Sequence, residues 1–490
     1  MTIKIGKFTL ETLTTGMYDS PKDIYREYIQ NAVDSIDNAI KLGILKKDKG
    51  SIEIKVNKTD SSIGITDNGT GISVENAKRY LLNVGDSVKF NSDNRGFRGI
   101  GRLAGLAYCD ELIFCTSYYG EESKTVIKFD AKLLRKSLYS IDNNDTLEEV
   151  FTKIISISHE YEAKGKHYFS VELNGVTNEG EILNDDEVYD YLSQVAPVPF
   201  SPEFKWKDII ASKLAYLGLN IGEYNIILNG EFGGRRQIYK GYSDHFVADR
   251  VRKEEDAIED IEEKTFNDEK GNVIAILWYA KSRYSGTIQN DLIKGIRLRK
   301  GNIQLGSRTT LNSFFKDERF NGWLIGELHI ISDSLIPNAR RDNLEKTKTY
   351  YDLQGHLRSW ADEISSEIRK ISIKRNTDRT NKKIEEVIKG APSMEARKDI
   401  EIIPEIQISE KQEYDDVAHA ELISQLDLLI DQKTSCTKYK ALNIQCGITV
   451  EEKKVLETVL DIITDKYSDR ADSLVSTIIK EYKVRTMSKR

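Results

Sequence analysis

Glu27, Asn31 and Asp34 are set four and then three positions apart within residues 24–37. That spacing brings their side chains to one stripe of a helix, one turn above the next. A carboxylate, a carboxamide and a second carboxylate thus share one stripe. Standing alone, such a stripe reads first as a solvated face. Ile24, Tyr28, Ala32, Val33, Ile36 and Ile40 supply the apolar face that docks such a helix. Ser20 as N-cap, Pro21 in the first turn and Asp23 predict its start, and Gly43 its stop.

The stripe has company. After a predicted strand over 52–56, the apolar run 63–67 ends on Asp67, Asn68, Gly69 and Gly71, which alone is turn chemistry. Gly96, Gly99 and Gly101 then punctuate a segment running into the strand-like residues 111–115. Glycines let backbone amides approach a ligand closely, and a helix beginning there would aim its N-terminus at anionic groups. Each element alone says little; three in this order and at these separations say much more.

Glu-x-x-x-Asn-x-x-Asp, then Asp-x-Gly-x-Gly, then a Gly-x-Gly loop resembles the Bergerat-type ATP-binding fold of the GHKL superfamily. Its members are gyrase, the ninety-kilodalton heat-shock chaperones, histidine kinases and MutL. Residues 27–37 and 96–117 are most similar to the heat-shock chaperone, MutL and MORC branches. The resemblance covers residues 20–116 and implies an α/β sandwich ATPase domain that takes ATP and Mg2+. It makes Glu27 the general base on the attacking water and Asn31 the magnesium ligand. Asp34 would stand behind these or line the pocket, and Asp67 would accept a hydrogen bond from the adenine amino group. Gly71 would permit close approach, while Gly96, Gly99, Ile100 and Gly101 would present backbone to the phosphates. Residues 86–98 read as a lid, and Arg95, Arg98 and Arg102 as phosphate contacts or ordinary loop arginines. The family's further Gly-Thr strand matches best at 165–173, where Lys166 stands in place of the Thr; His167 reads as a surface residue.

The chain of 490 residues is too long for one core. An α+β multidomain protein is expected: an ATP-binding domain over 1–200, closed by the proline-interrupted segment 195–200; a second α+β, transducer-like domain over 201–348; and a helical C-terminal region over 349–490 with a connector near 390–416. In the second domain, strands are predicted over 224–228, 273–279, 295–299 and 323–331, and the acid-rich stretch 254–263 as a solvated loop or short helix. Residues 332–345 resemble the chaperone middle-domain segment whose arginine contacts the γ-phosphate when the domains close. That resemblance gives Arg341 the role, with Arg340 and Lys300 as weaker competitors and a basic surface turn as the plain alternative. Leu353, Leu357, Trp360, Ile364 and Ile368 form an amphipathic stripe, followed by the basic segment 369–389.

No run approaches the ~20 apolar residues needed to cross a bilayer, and the polar N-terminus lacks a signal-peptide core, so a cytoplasmic protein is expected. Four cysteines without metal-ligand spacing read as reduced thiols. A net charge of −7 excludes affinity for nucleic acid over the whole surface, though not a local basic patch. The expected function is a slow, Mg-dependent ATPase, a homodimeric chaperone-like clamp that closes on a protein client. Its alternative is a MutL/MORC-like ATPase acting on DNA. A scaffold that only binds nucleotide has no need of Glu27.

Overall fold

The computed structural model describes residues 20–83, 101–139, 146–177 and 179–390. The expected lid, the loop positions Gly96, Gly99 and Ile100, Arg95 and Arg98, Cys436 and Cys446, and the connector and helical tail beyond 390 lie outside these. One compact unit runs to Arg375 and a second begins at Asn376.

Helix α1 (Asp23–Lys41) buries the predicted apolar stripe: Ile24, Tyr28, Ala32, Val33 and Ile36 are at most 2% exposed. It starts two residues later than the Ser20 cap predicts. The Ser20 hydroxyl accepts from the Lys22 N–H (3.3 Å), its carbonyl accepts from Asp23 N–H (3.0 Å), and the helix N-cap, Lys22, makes no side-chain cap. Gly43 ends it in the left-handed region (φ 71°), its N–H reaching the Ile40 carbonyl while Ile44 N–H reaches Ala39, the Schellman pattern for which glycine is suited.

Strands β1 (Ser51–Asn57) and β2 (Ser62–Asp67) follow, then α2 (Val74–Leu82), a short 3-10 turn over Gly101–Ala107, β3 (Glu111–Ser117), β4 (Ser123–Asp130), α3 (Ala131–Tyr139), α4 (Leu147–Ile154), β5 (Ile155–Tyr161) and β6 (Tyr168–Asn174). Beyond α5 (Glu179–Ile182), α6 (Asp185–Val195) and α7 (Lys207–Tyr216) come β7 (Asn225–Gly230) and β8 (Gly234–Gln237). These make one eight-stranded sheet in the order β5-β4-β3-β6-β2-β1-β7-β8. Every pairing is antiparallel except β1 with β7. Helix α1 packs on it within one apolar core shared with Ile52, Ile54, Ile65, Leu112 and Phe114.

The first sheet therefore does not end at residue 200, because β7 and β8 complete it from beyond the proline segment. Pro197 and Pro199 follow the end of α6 at Val195 but do not mark an edge of the first sheet: their carbonyls accept from Tyr224 N–H (2.9 Å) and Lys240 N–H (2.8 Å), and Val198 between them is fully buried. A proline lacks a donor but remains a full acceptor.

Strands β9 (His245–Ala248) and β10 (Glu254–Ala257) pair as a hairpin, and a second, five-stranded sheet follows. It is built from β11 (Asp260–Asn267), β12 (Val273–Lys281), β13 (Gly295–Lys300), β14 (Ile303–Gln304) and β15 (Ile325–Ile330), in the order β11-β12-β15-β13-β14. The acid-rich stretch 254–263 thus lies in two strands, β10 and the start of β11, joined at residues 258–259, and is not a loop or helix. Its central acid is consumed internally: Asp256, 2% exposed, accepts from the N–H groups of Ala257, Arg283 and Ser285. One face of this sheet carries Trp278, Ile276 and Ile325 against Phe200, Phe204 and Tyr242. The other is covered by α8 (Lys348–Gly390), whose Leu353, Leu357, Trp360, Ile364 and Ile368 join Leu298 and Leu328 in one core. The start of the expected C-terminal region therefore belongs to the second sheet. Among the described residues no helix is long and apolar enough to cross a membrane.

Candidate functional site

Glu27 on α1 is buried, only 4% exposed. A Cβ built on Gly101 would stand 2.1 Å from its Oε2, so the glycine loop approaches the carboxylate as closely as a backbone can. Tyr28, one residue on, holds the loop there, its hydroxyl accepting from Gly105 N–H (3.0 Å) and donating to the Arg102 carbonyl (3.1 Å). Arg102 turns back to the carbonyls of Leu81 and Asn83.

Two arginines flank the other carboxylate oxygen. Arg26 Nε lies 3.7 Å and Arg341 Nε 3.6 Å from Glu27 Oε1. Arg26 is 4% exposed, stands 3.3 Å from Asp23 Oδ1 and donates to the Arg340 carbonyl (3.2 Å). Burial pushes the Asp23 carboxyl above its ordinary range, with Arg26 pulling the other way. Neither long contact to Glu27 is a hydrogen bond. Among the described residues Glu27 Oε1 and Arg341 Nη1 are buried with no hydrogen-bond partner.

Arg341 reaches this place on a hairpin whose sides pair at Pro337 and Leu344. The Asn338 side chain organises its turn, its Oδ1 accepting from Asp342 N–H (3.2 Å) and Asn343 N–H (3.4 Å), its Nδ2 donating to Asp342 Oδ1 (2.5 Å). Arg341 itself takes φ 56°, and its carbonyl accepts from Gly306 N–H (2.9 Å). A Cβ at Gly306 would strike the Asp342 carbonyl at 2.3 Å, so this contact also requires glycine. Expected to arrive only on domain closure, Arg341 already stands beside Glu27. Lys300 is directed elsewhere, to the carbonyls of Ser332 and Leu335, and the Arg340 carbonyl accepts from Arg26.

Further along α1, Asn31 is half-buried and Asp34 is 1% exposed. The turn after β2 lies against the next residue: Thr70 N–H binds the Ser35 carbonyl (3.2 Å), and a Cβ at Gly69 would meet Ser35 Oγ at 2.1 Å. Asp67, 2% exposed, accepts from Gly69 N–H (2.8 Å). Gly71 has φ 66°, and a side chain there would strike the Ser117 carbonyl at 1.9 Å. Its need for glycine thus comes from neighbouring backbone. His167, half-buried, contacts the Gly69 carbonyl through Nδ1 (2.7 Å), while Lys166 is exposed. Cys109 is free, and burial pushes its thiol up to about 12.

The structure therefore brings Glu27, Gly101 and Arg341 together, and separately seats the Asp67–Gly71 turn on the Asp34–Ser35 end of the same helix. Sequence reasoning missed Arg26, whose one signal was adjacency to Glu27, and Gly306, which had none. Among the described residues no cluster of three or more His, Cys, Asp or Glu could hold a metal. A cation here would depend on the Asn31 amide oxygen and on oxygens brought by its ligand, which suits magnesium bound with phosphates.

Three chaperone proteins HtpG align with this chain at 26% identity: those of Halalkalibacterium halodurans over 134 residues, Sulfurovum sp. over 145 and Buchnera aphidicola subsp. Baizongia pistaciae over 140. The alignments cover 24–26% of this chain and 21–23% of the relatives' own length. Residues 20–160, which carry α1, the Asp67 turn and the glycine loop, match the model of the Histidine kinase-, DNA gyrase B-, and HSP90-like ATPase family.

Proposed function

We propose that the chain is a magnesium-dependent ATPase that works as a chaperone-like clamp. Glu27 would take the proton of the attacking water, Asp67 would accept from the adenine amino group, and Arg341 would meet the charge developing on the γ-phosphate. Asn31 would hold the magnesium, which when bound neutralises phosphate charge.

The observation that carries this reading is the pairing of Arg341 Nε with Glu27 Oε1 at 3.6 Å, each side chain keeping one buried polar atom without a hydrogen bond among the described residues. Buried polar atoms are nearly always satisfied, so such orphans at one spot call for a polar ligand. A phosphate offers the arginine fork a better geometric match than a single long contact to a carboxylate. With Arg341 so engaged, Glu27 is left free to hold a water.

A client protein is favoured over DNA because the basic segment is partly spent on packing. Arg369 lies over the Phe320 ring (5.1 Å), and Arg375 donates to the carbonyls of Arg283 and Tyr284 (2.9 and 2.8 Å). The clamp requires two copies of the chain, so an ATP-dependent dimer belongs to the same proposal.

The test is ATP turnover by the full chain beside Glu27→Ala and Arg341→Ala. Both variants should bind ATP, with turnover lower by on the order of 10²–10³ for Arg341→Ala and ~10²–10⁴ for Glu27→Ala. Wild-type turnover in either would refute its assignment. ATP-dependent suppression of aggregation of a heat-unfolding test protein supports the chaperone reading; salt-sensitive retention on duplex DNA without such suppression replaces it with the DNA reading.

A further inference from the structure

Arg299 and Lys300 are consecutive on β13 and so project to opposite faces of the second sheet. Arg299, 1% exposed, donates from Nη2 to the Gln194 carbonyl in α6 (2.7 Å), while within its own sheet Nη1 donates to the Asn302 carbonyl (2.9 Å) and Nε lies 2.6 Å from Glu327 Oε1. Glu327 on β15 is fully buried and also accepts from Lys240 Nζ (2.8 and 3.0 Å), the residue whose backbone N–H is bound to Pro199. Lys300, on the other face, donates to the carbonyls of Ser332 (3.0 Å) and Leu335 (2.9 Å). Those carbonyls stand at the root of the hairpin that turns at Arg341.

Adjacent side chains thus bind helix α6 on one side of the second sheet and the root of the Arg341 hairpin on the other. A buried charge group of this kind adds little stability over apolar residues of equal volume, because desolvation offsets the attraction. What it does secure is geometry, since Lys240 and Arg299 converge on the one buried Glu327 carboxylate from fixed places in two different segments of the chain. We infer that Lys300, with Arg299 and Glu327 behind it, is a positioning residue that sets Arg341 against Glu27. The inference rests on the reading of Arg341 as a participant in hydrolysis.

Lys300→Met keeps the stem and its packing and removes the donors. In the full chain its kcat should fall roughly 10–100-fold, the effect of a displacement near 1 Å, with KM for ATP at the wild-type value. Lys300→Arg, which restores donors of similar reach, should recover part of the loss. Combined with Arg341→Ala, Lys300→Met should add nothing, because there is no arginine left to misplace. Thermal melts accompany each variant, and if Lys300→Met melts below the assay temperature, Lys300→Gln carries the same comparison. A loss in Arg341→Ala with wild-type kcat in Lys300→Met overturns this inference alone. So does an equal further loss on the Arg341→Ala background, which would mark a general structural role. Wild-type turnover in Arg341→Ala overturns the reading of Arg341 and this inference with it.

Discussion

Replacing Gly101 by alanine would place a methyl group 2.1 Å from Glu27 Oε2. Non-bonded atoms settle near 3.5 Å, so the carboxylate must retreat by about 1 Å or more. It can do so cheaply: among the described residues its other oxygen is held only by the 3.6 and 3.7 Å contacts to Arg341 and Arg26. Turning such a side chain away from its rotamer costs about 0.5–1.5 kcal/mol, and the fold should survive with a modest change in Tm. Catalysis has no such tolerance. A base displaced by about 1 Å is expected to lose on the order of 10²-fold in kcat, equivalent to ~2.7 kcal/mol in the barrier. The assay is steady-state ATP turnover by Gly101→Ala, with a melt and a calorimetric ATP titration on the same preparation. On a Glu27→Ala background the substitution should cost nothing further in turnover. A folded Gly101→Ala with wild-type kcat would refute the reasoning, because it would mean the position of the Glu27 carboxylate does not matter to the rate.

Asp67→Asn should weaken ATP binding by on the order of 1–3 kcal/mol, and equal affinities by calorimetry would count against an adenine contact there. Glu327→Gln leaves Lys240 and Arg299 buried without their counter-ion, and should cost about 3–5 kcal/mol in denaturant unfolding; a change near zero would mean that water reaches those cations. A fragment ending at Phe200 lacks β7, the strand that pairs in parallel with β1, and should be less stable in urea than one ending at Lys240. Equal midpoints would show that the sheet needs no strand beyond β1 on that side.

Local periodicity made much of this fold legible. The apolar stripe of α1, the stop at Gly43, the run ending at Asp67 and the stripe from Leu353 to Ile368 each occupy a few turns or one strand, where side-chain direction follows directly from spacing. The errors arose where a partner lay far along the chain. The stretch 254–263 read as a loop or short helix because nothing nearby foretells that Asp256 meets the backbone of Arg283 and Ser285. The prolines at 197 and 199 read as a boundary because their acceptors are used by Tyr224 and Lys240.

By itself, the sequence determined which residues share a stripe: Glu27, Asn31 and Asp34 on one helix, with the acid-and-glycine turn and the glycine loop at family-like separations. Only the tertiary structure decided what that stripe faces. It put Gly101 against one oxygen of Glu27, and Arg26 and Arg341 beside the other, the last from more than 300 residues away. Spacing along a chain sets directions within one element, because the backbone geometry there is regular. Which elements meet is settled by burial, strand pairing and the satisfaction of buried charges over the whole molecule, and no local pattern encodes it.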